Sequence, residues 1–455
     1  MAPIEIAGKK VSVLGAARSG RAVAALLQSK GARVFVSDLA PVERMAEAVA
    51  EFTSRNIDFE FGGNTGRILE TDLLVMSPGV PSDSPLVREA IARRILVASE
   101  LEVASWFCRG SIIAITGTNG KTTATTLTGK ILEDAGLKTL VGGNIGTAFA
   151  QLVDKTERDS KVVLEVSSFQ LDHAIDFRPR VSVLLNITPD HLDRYDHSFE
   201  KYSDAKARIF LRQRKGDTLV YNADDPEAKR QVIGKAPKEV ALLPFSVTQR
   251  LEEGAWVENG HLVTAFGGKK SVIVPVGKIG IPGIHNLSNA MAASLAGLVS
   301  GAPAGPLGKT LERFKGVEHR LEFVRELRGV KYVNDSKATN VDSVWYALQS
   351  YDGPIVLILG GRDKGNDYTR LHDLVRNRVR AIVAIGESAG KVVKAFEGIR
   401  SAETAESMED AVDLCTQRAH PGDVVLLSPA CASFDWFDNY EHRGMVFKNI
   451  VMALR

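Results

Sequence analysis

Hydrophobic residues in this chain come in short unbroken runs, each followed at once by glycine or polar residues, and the runs alternate with longer amphipathic stretches. Runs that are apolar throughout mark strands buried on both faces, and their alternation with helical stretches predicts parallel sheets of the α/β class. The first run, Lys10-Val11-Ser12-Val13-Leu14, turns at Gly15-Ala16-Ala17-Arg18-Ser19-Gly20 and continues as a helical stretch from Arg21 to Lys30. A second run, Arg33-Val34-Phe35-Val36-Ser37, ends at Asp38, which completes a βαβ nucleotide unit with an acidic residue near the offset for a ribose contact. The third, Asp72 to Met76, leads into Ser77-Pro78-Gly79-Val80-Pro81, a turn able to present backbone to a ligand.

The rhythm then repeats. Ser111 to Ile115 reads as a buried strand and Thr122 to Ala135, closed by Gly136, as a helix. Strands are expected over Lys161 to Val166 and Val181 to Leu185, with polar residues at their carboxyl ends, where open α/β sheets bind ligands. Between Leu242 and Gly283 the pattern changes to short alternating runs. Glu258-Asn259-Gly260 is placed to turn a hairpin between Ala255-Trp256-Val257 and His261-Leu262-Val263, a small antiparallel appendage. Gly301-Ala302-Pro303-Ala304-Gly305-Pro306 reads as a loop near a boundary. A last α/β unit has strands at Lys331 to Val333, Pro354 to Leu359, Arg380 to Ile385 and Asp423 to Leu427. At 455 residues the chain is too long for one core. Three domains are expected: an N-terminal Rossmann-like nucleotide domain over 1–99, a central P-loop ATPase-like domain with the appendage over 100–316, and a C-terminal Rossmann-like α/β domain over 317–455.

Composition narrows the partners. A net charge of +2 leaves no nucleic-acid footprint, so small molecules are expected. Three scattered cysteines without a C-x-x-C pair suggest neither a disulfide framework nor zinc, which fits a reducing cytoplasm. The N-terminus lacks an apolar signal core and no run has the length of a membrane span, so no membrane partner is expected.

Chemistry concentrates at the carboxyl ends of the central strands. Thr116-Gly117-Thr118-Asn119-Gly120-Lys121-Thr122-Thr123 links a strand to a helix, so backbone amides, the helix N-terminus and the Lys121 ammonium converge on phosphate, with Thr122 placed for Mg2+. Ile115 stands where the strict phosphate-loop pattern has glycine. Glu165 interrupts an apolar strand, where a charge needs a cation or donors; the alternative is an edge strand with Glu165 facing solvent. Asp190-His191-Leu192-Asp193-Arg194-Tyr195 gathers imidazole and carboxylates in one loop, suited to Mg2+ and phosphate or simply exposed. Lys206 projects from the apolar stripe of a helix over Phe199 to Arg212, either toward a buried partner or with its head reaching water. In the first unit, Ala17 replaces the middle glycine of the dinucleotide turn, which argues for a nucleotide other than NAD.

With these residues assembled, the chain resembles the Mur ligases over nearly its whole length. The matching stretches are Thr116 to Thr123, Gly142-Gly143-Asn144-Ile145-Gly146, Glu165 to Gln170, His285-Asn286 with Asn289, His319-Arg320, Asn334 to Asn340, and Ser428 to Ser433. The resemblance implies an ATP-dependent ligase that adds D-glutamate to UDP-N-acetylmuramoyl-L-alanine, a cytoplasmic monomer in peptidoglycan precursor synthesis. It implies that Lys121 contacts the ATP phosphates, that Thr122 and Glu165 hold one Mg2+, and that His191 and Lys206 serve a second, with Lys206 carrying a CO2-derived carbamate. Gly117, Thr118, Asn119, Gly120 and Thr123 complete the ATP turn, and Asn286, Asn289, Arg320 and Asp335 match adenine-nucleotide positions. Arg18, Ser19, Asp38 and Gly79 fall where the family binds uridine diphosphate, and Asn144 where the sugar-linked substrate lies. Lys337, Thr339, Lys364, Ser433 and Tyr440 match positions around the amino acid, two lysines suiting a dianion. Tyr440 stands where the family pattern has phenylalanine, and the Asn-Pro-Arg motif of the diaminopimelate-adding relatives is absent. Closure near Gly316 is expected to bring the reactants together. The rival readings are a folylpoly-γ-glutamate synthetase or L-alanine-adding enzyme of the same superfamily, an NAD-dependent oxidoreductase using the Gly15 turn, and a non-catalytic nucleotide switch.

Overall fold

The computed structural model describes residues 5–351, 353–363 and 365–455. The chain folds as three α/β domains, each built on one sheet. The first sheet is wholly parallel, with strands in the spatial order Asp58–Phe61, Arg33–Asp38, Lys10–Leu14, Leu73–Met76, Leu96–Ser99. Its strand order reverses between Lys10–Leu14 and Leu73–Met76, so the Gly15 turn and the Ser77 turn open side by side at a switch point. Gly20 starts the close approach of the helix after the turn: a Cβ there would lie 1.8 Å from the Gly15 carbonyl oxygen.

The second sheet has nine strands. Ser111–Thr116 lies between Lys161–Glu165 and Val181–Leu184, and all three are parallel. Every residue from Ile112 to Thr116 is buried, as an internal parallel strand requires. The hairpin pairs Glu258 with His261 through Asn259 (φ 50°) and Gly260 (φ 74°), both left-handed as a tight two-residue turn demands. The expected antiparallel appendage is present. Its strands extend the same sheet, because Phe245 pairs with Ala255. The Gly301 to Pro306 stretch is only partly a loop, since a helix begins at Ala304 and runs to Arg313. Pro306 falls in its first turn, where no intrahelical N–H bond is lost.

The third sheet has six strands, ordered Glu322–Leu327, Val330–Asn334, Val424–Leu427, Ile355–Gly360, Val379–Ile385 and Ala402–Thr404, with only the first antiparallel. Two compact units emerge, 1–278 with 288–312, and 279–287 with 313–455. The first two sheets share one continuous apolar core, running from Val13 and Val36 through Leu101 and Phe149 to Leu164 and Phe210. The third sheet packs its own cores on its two faces. Among the described residues no helix is long and apolar enough to cross a membrane, and Cys108, Cys415 and Cys431 are free thiols.

Candidate functional site

The phosphate turn forms between Ser111–Thr116 and the helix Lys121–Asp134, as its strand and helix signals require. Gly120 has φ 82°, and a Cβ there would sit 2.2 Å from Asn289 Oδ1. Neither the backbone nor the space tolerates a side chain. The turn is braced from beneath by the loop at the carboxyl end of the strand Val181–Leu184. Thr118 N–H donates to Asn186 O at 2.9 Å, Asn119 N–H to Asn186 Oδ1 at 2.8 Å, and Thr118 Oγ1 to Thr188 O at 2.9 Å. Sequence reasoning missed Asn186; its only signal is a polar residue just beyond an apolar strand.

Two ammonium groups converge on this turn. Lys121 Nζ donates to Gly117 O at 2.9 Å and Thr118 O at 2.8 Å, and Lys206 Nζ donates to Gly117 O at 2.8 Å. Lys206 is 1% exposed, so the snorkelling alternative falls: the ammonium lies inside, 4.6 Å above the Tyr202 ring centre. Burial holds its pKa well below the usual lysine range; the Lys121 charge adds to this, and Asp190 and Glu165 oppose it.

Glu165 is 2% exposed on a strand flanked on both sides, which rules out the edge reading. Its Oε1 accepts from Asn144 Nδ2 at 3.0 Å, while Oε2 is buried and accepts no hydrogen bond among the described residues. A buried carboxylate oxygen without a donor is a site for a cation. Thr122 is 5% exposed at the start of the adjoining helix. Among the described residues no group of three His, Cys, Asp or Glu side chains forms a metal cage. The donor set therefore fits Mg2+ only in its usual mode, with few protein oxygens and the rest from phosphate and water. His191 takes the left-handed conformation (φ 51°), with its backbone N–H on Asp190 Oδ1 at 2.9 Å and its half-exposed ring edge-on to Phe169.

On the first sheet, Asp38 braces the glycine turn, its oxygens accepting from Ala16 N–H at 2.7 Å and Ala40 N–H at 2.8 Å. Arg18 donates Nη2 to Asn144 O at 3.1 Å, tying two predicted residues together. Ser19 is half-buried in the same helix and Gly79 exposed at the Ser77 turn.

In the other unit, Asn286 Nδ2 donates to Pro282 O at 2.7 Å. Asp335 is 1% exposed, accepting from Ser428 Oγ at 2.9 Å and Leu321 N–H at 3.2 Å. Burial raises its pKa to about 6 against the pull of Arg320, whose own Nε is buried without an acceptor among the described residues. Lys337 Nζ donates to Tyr440 Oη at 3.1 Å, a bond phenylalanine could not accept. Thr339 N–H donates to Lys337 O at 3.0 Å, and Ser433 is 2% exposed at the end of the last central strand's loop. Lys364 lies outside the described residues. Arg443, another residue missed from sequence, is 1% exposed and donates to Ser336 O, Cys431 O and Ala432 O, clamping the loops that carry Lys337 and Ser433.

A strand-turn-helix phosphate cradle at the carboxyl edge of parallel strands, with a half-buried and a buried lysine on the turn and an unpaired buried carboxylate, defines an ATP-handling enzyme of the three-domain α/β class. Three family descriptions cover this architecture in order: the MurD N-terminal domain matches residues 10–86, the Mur ligase middle domain 115–297, and the Mur ligase glutamate ligase domain 319–431. The chain belongs to the Mur ligase family. It is 49% identical to UDP-N-acetylmuramoylalanine–D-glutamate ligase of Salinibacter ruber over 100% of both chains, and 46% identical to that of Pelotomaculum thermopropionicum over 98% of both. Among solved structures it shares its fold with the UDP-N-acetylmuramate-alanine ligase MurC of Thermotoga maritima, at TM-score 0.61 and 19% identity over 98% of this chain and 99% of that one. The MurF ligase of the same organism in complex with ADP superposes at TM-score 0.59 and 16% identity over 98% and 96%.

Proposed function

We propose that this protein joins D-glutamate to UDP-N-acetylmuramoyl-L-alanine at the expense of ATP, through an acyl phosphate, in peptidoglycan precursor synthesis. The observation that carries the reading is full-length identity of 43–49% to ligases of that name. The Lys121 and Lys206 pair on one turn, beside the unpaired Glu165 oxygen, supplies the chemistry that reading needs. A carboxylate forms an amide only once its oxygen can leave. Lys121 and the turn amides hold the triphosphate and offset charge as the γ-phosphoryl group moves to the alanyl carboxylate. Thr122 and Glu165 would hold one Mg2+ and His191 with Lys206 a second; when bound, these ions neutralise charge between the reacting anions. Lys206 suits carbamylation, because burial and the Lys121 charge disfavour its ammonium form, and CO2 adds to the free amine with loss of a proton to give a carboxylate-bearing side chain. Lys337, Thr339, Lys364, Ser433 and Tyr440 orient D-glutamate, whose amine then displaces phosphate. Arg18, Ser19, Asp38, Gly79 and Asn144 hold the uridine substrate, Asn286, Asn289, Arg320 and Asp335 the adenine nucleotide. We assign uridine binding to 1–99, ATP to 100–316 and the amino acid to 317–455, in a cytoplasmic monomer.

The test is phosphate release with ATP, Mg2+ and UDP-N-acetylmuramoyl-L-alanine while D-glutamate, L-glutamate, L-alanine and diaminopimelate are scanned. Turnover that depends on D-glutamate and the uridine substrate together is expected. Turnover with another amino acid would keep the family and discard the specificity.

A further inference from the structure

Two arginines cross the seam between the first and central sheets in opposite directions. Arg18 reaches out from the first sheet to Asn144 O. Arg194 reaches back: its Nη1 donates to Pro78 O at 3.1 Å and its Nη2 to Gly79 O at 3.2 Å. The same guanidinium lies 4.8 Å from the ring centre of Phe169, and Phe169 meets the His191 ring edge-on at 6.2 Å. One planar group thus touches the Ser77 turn and the aromatic that supports His191. Its own backbone is held in place, since the short turn Leu192–Tyr195 is bracketed by left-handed His191 (φ 51°) and Asp196 (φ 51°). Tyr195, buried next door, donates to Asp172 at 3.3 Å, and Asp172 accepts from Ser82 Oγ at 2.9 Å, so a second bond crosses the seam beside the first.

We propose that Arg194 is a positioning residue for ligation, locking the Ser77 turn that receives the uridine diphosphate in register with the His191 loop. It sets how far the nucleotide end of the substrate stands from the carboxylate to be phosphorylated. This rests on the proposed function. Two adjacent backbone carbonyls and an aromatic face match a planar fork; an ammonium can serve one carbonyl at a time and stacks less well. A register defect has its own signature. A ligand that touches only the first sheet is indifferent to it, whereas one that spans both sheets binds less tightly, and its reacting carboxylate is misplaced again in the transition state.

Arg194→Lys and Arg194→Met, the second an unbranched side chain without the charge, are compared with wild type for UDP and UDP-N-acetylmuramoyl-L-alanine affinity by calorimetry, and for kcat and KM of each substrate. At about tenfold for each charge-assisted hydrogen bond lost, kcat/KM for the uridine substrate should fall by roughly 10- to 100-fold. UDP affinity and the KM for ATP should stay within about twofold, and the Lys variant should recover part of the loss. Unchanged kcat/KM, or equal losses for UDP, ATP and the full substrate, would overturn the inference while leaving ligation by the wild type intact. Absence of wild-type ligation would instead overturn the functional reading, and this inference with it.

Discussion

Lys206 shows how one residue can be conspicuous in sequence and still undecided. On an apolar helical stripe it could have reached water; in the fold it is 1% exposed and bonded to Gly117 O. Burial and the Lys121 charge both disfavour its ammonium form there. Lys206→Ala should therefore lower ligation by more than about 100-fold, the scale of losing a group that offsets transition-state charge. Added short carboxylates should restore part of it, as phosphate-release rates will show; full activity of the alanine variant would exclude any support role. The phosphate turn, Glu165 and Lys206 were all legible as residues because their types conflict with their apolar surroundings. Asn186, Arg194 and Arg443 were not, since polar residues in loops and helices are ordinary until the fold shows which backbone they hold.

At the scale of elements, the helix Glu100–Phe107 joins the first sheet to the second and buries two carboxylates in its first turn. Glu102 Oε2 is satisfied by three backbone N–H groups, of Ile175, Asp176 and Phe177. Glu100 is poorer in donors: burial raises its pKa to about 7, opposed by the Ala150 N–H and the charge of Arg18. The native state thus holds a proton that the unfolded chain releases near the ordinary glutamate value. This group's stabilising contribution is present below about pH 4.5 and is lost as pH rises through about 7, a cost on the order of 3 kcal/mol above that. Glu100→Gln keeps an acceptor for Ala150 and removes the charge. Urea unfolding should find the variant more stable than wild type at pH 8, by about 3 kcal/mol, with the difference gone at about pH 4; parallel pH profiles would refute the assignment.

Over the whole molecule, the three sheets do not make three independent cores. The cluster from Val13 to Phe210 runs unbroken through the first two sheets, whereas the third sheet's apolar clusters are its own. Calorimetry should accordingly resolve two unfolding transitions rather than three. ADP at about 100 times its dissociation constant should raise the transition of the unit that holds the phosphate turn by about 2.7 kcal/mol if that turn carries its affinity. Three transitions would mean that the shared core is too weak to couple the first two sheets.

What the chain's own pattern determined is the kind of element at each place and the residues at strand ends. Unbroken apolar runs have one stable home, between neighbours in a parallel sheet, and glycine at a left-handed turn has few substitutes. Element ends were less determinate: the Ala304 helix starts inside an apparent loop because a proline in a first turn costs nothing there. Only tertiary structure decided that Glu165 is flanked on both sides, that the hairpin extends the central sheet, and that Arg194 meets two carbonyls more than a hundred residues away. Burial, pairing and charge environment depend on which distant segments meet, and no local pattern encodes that.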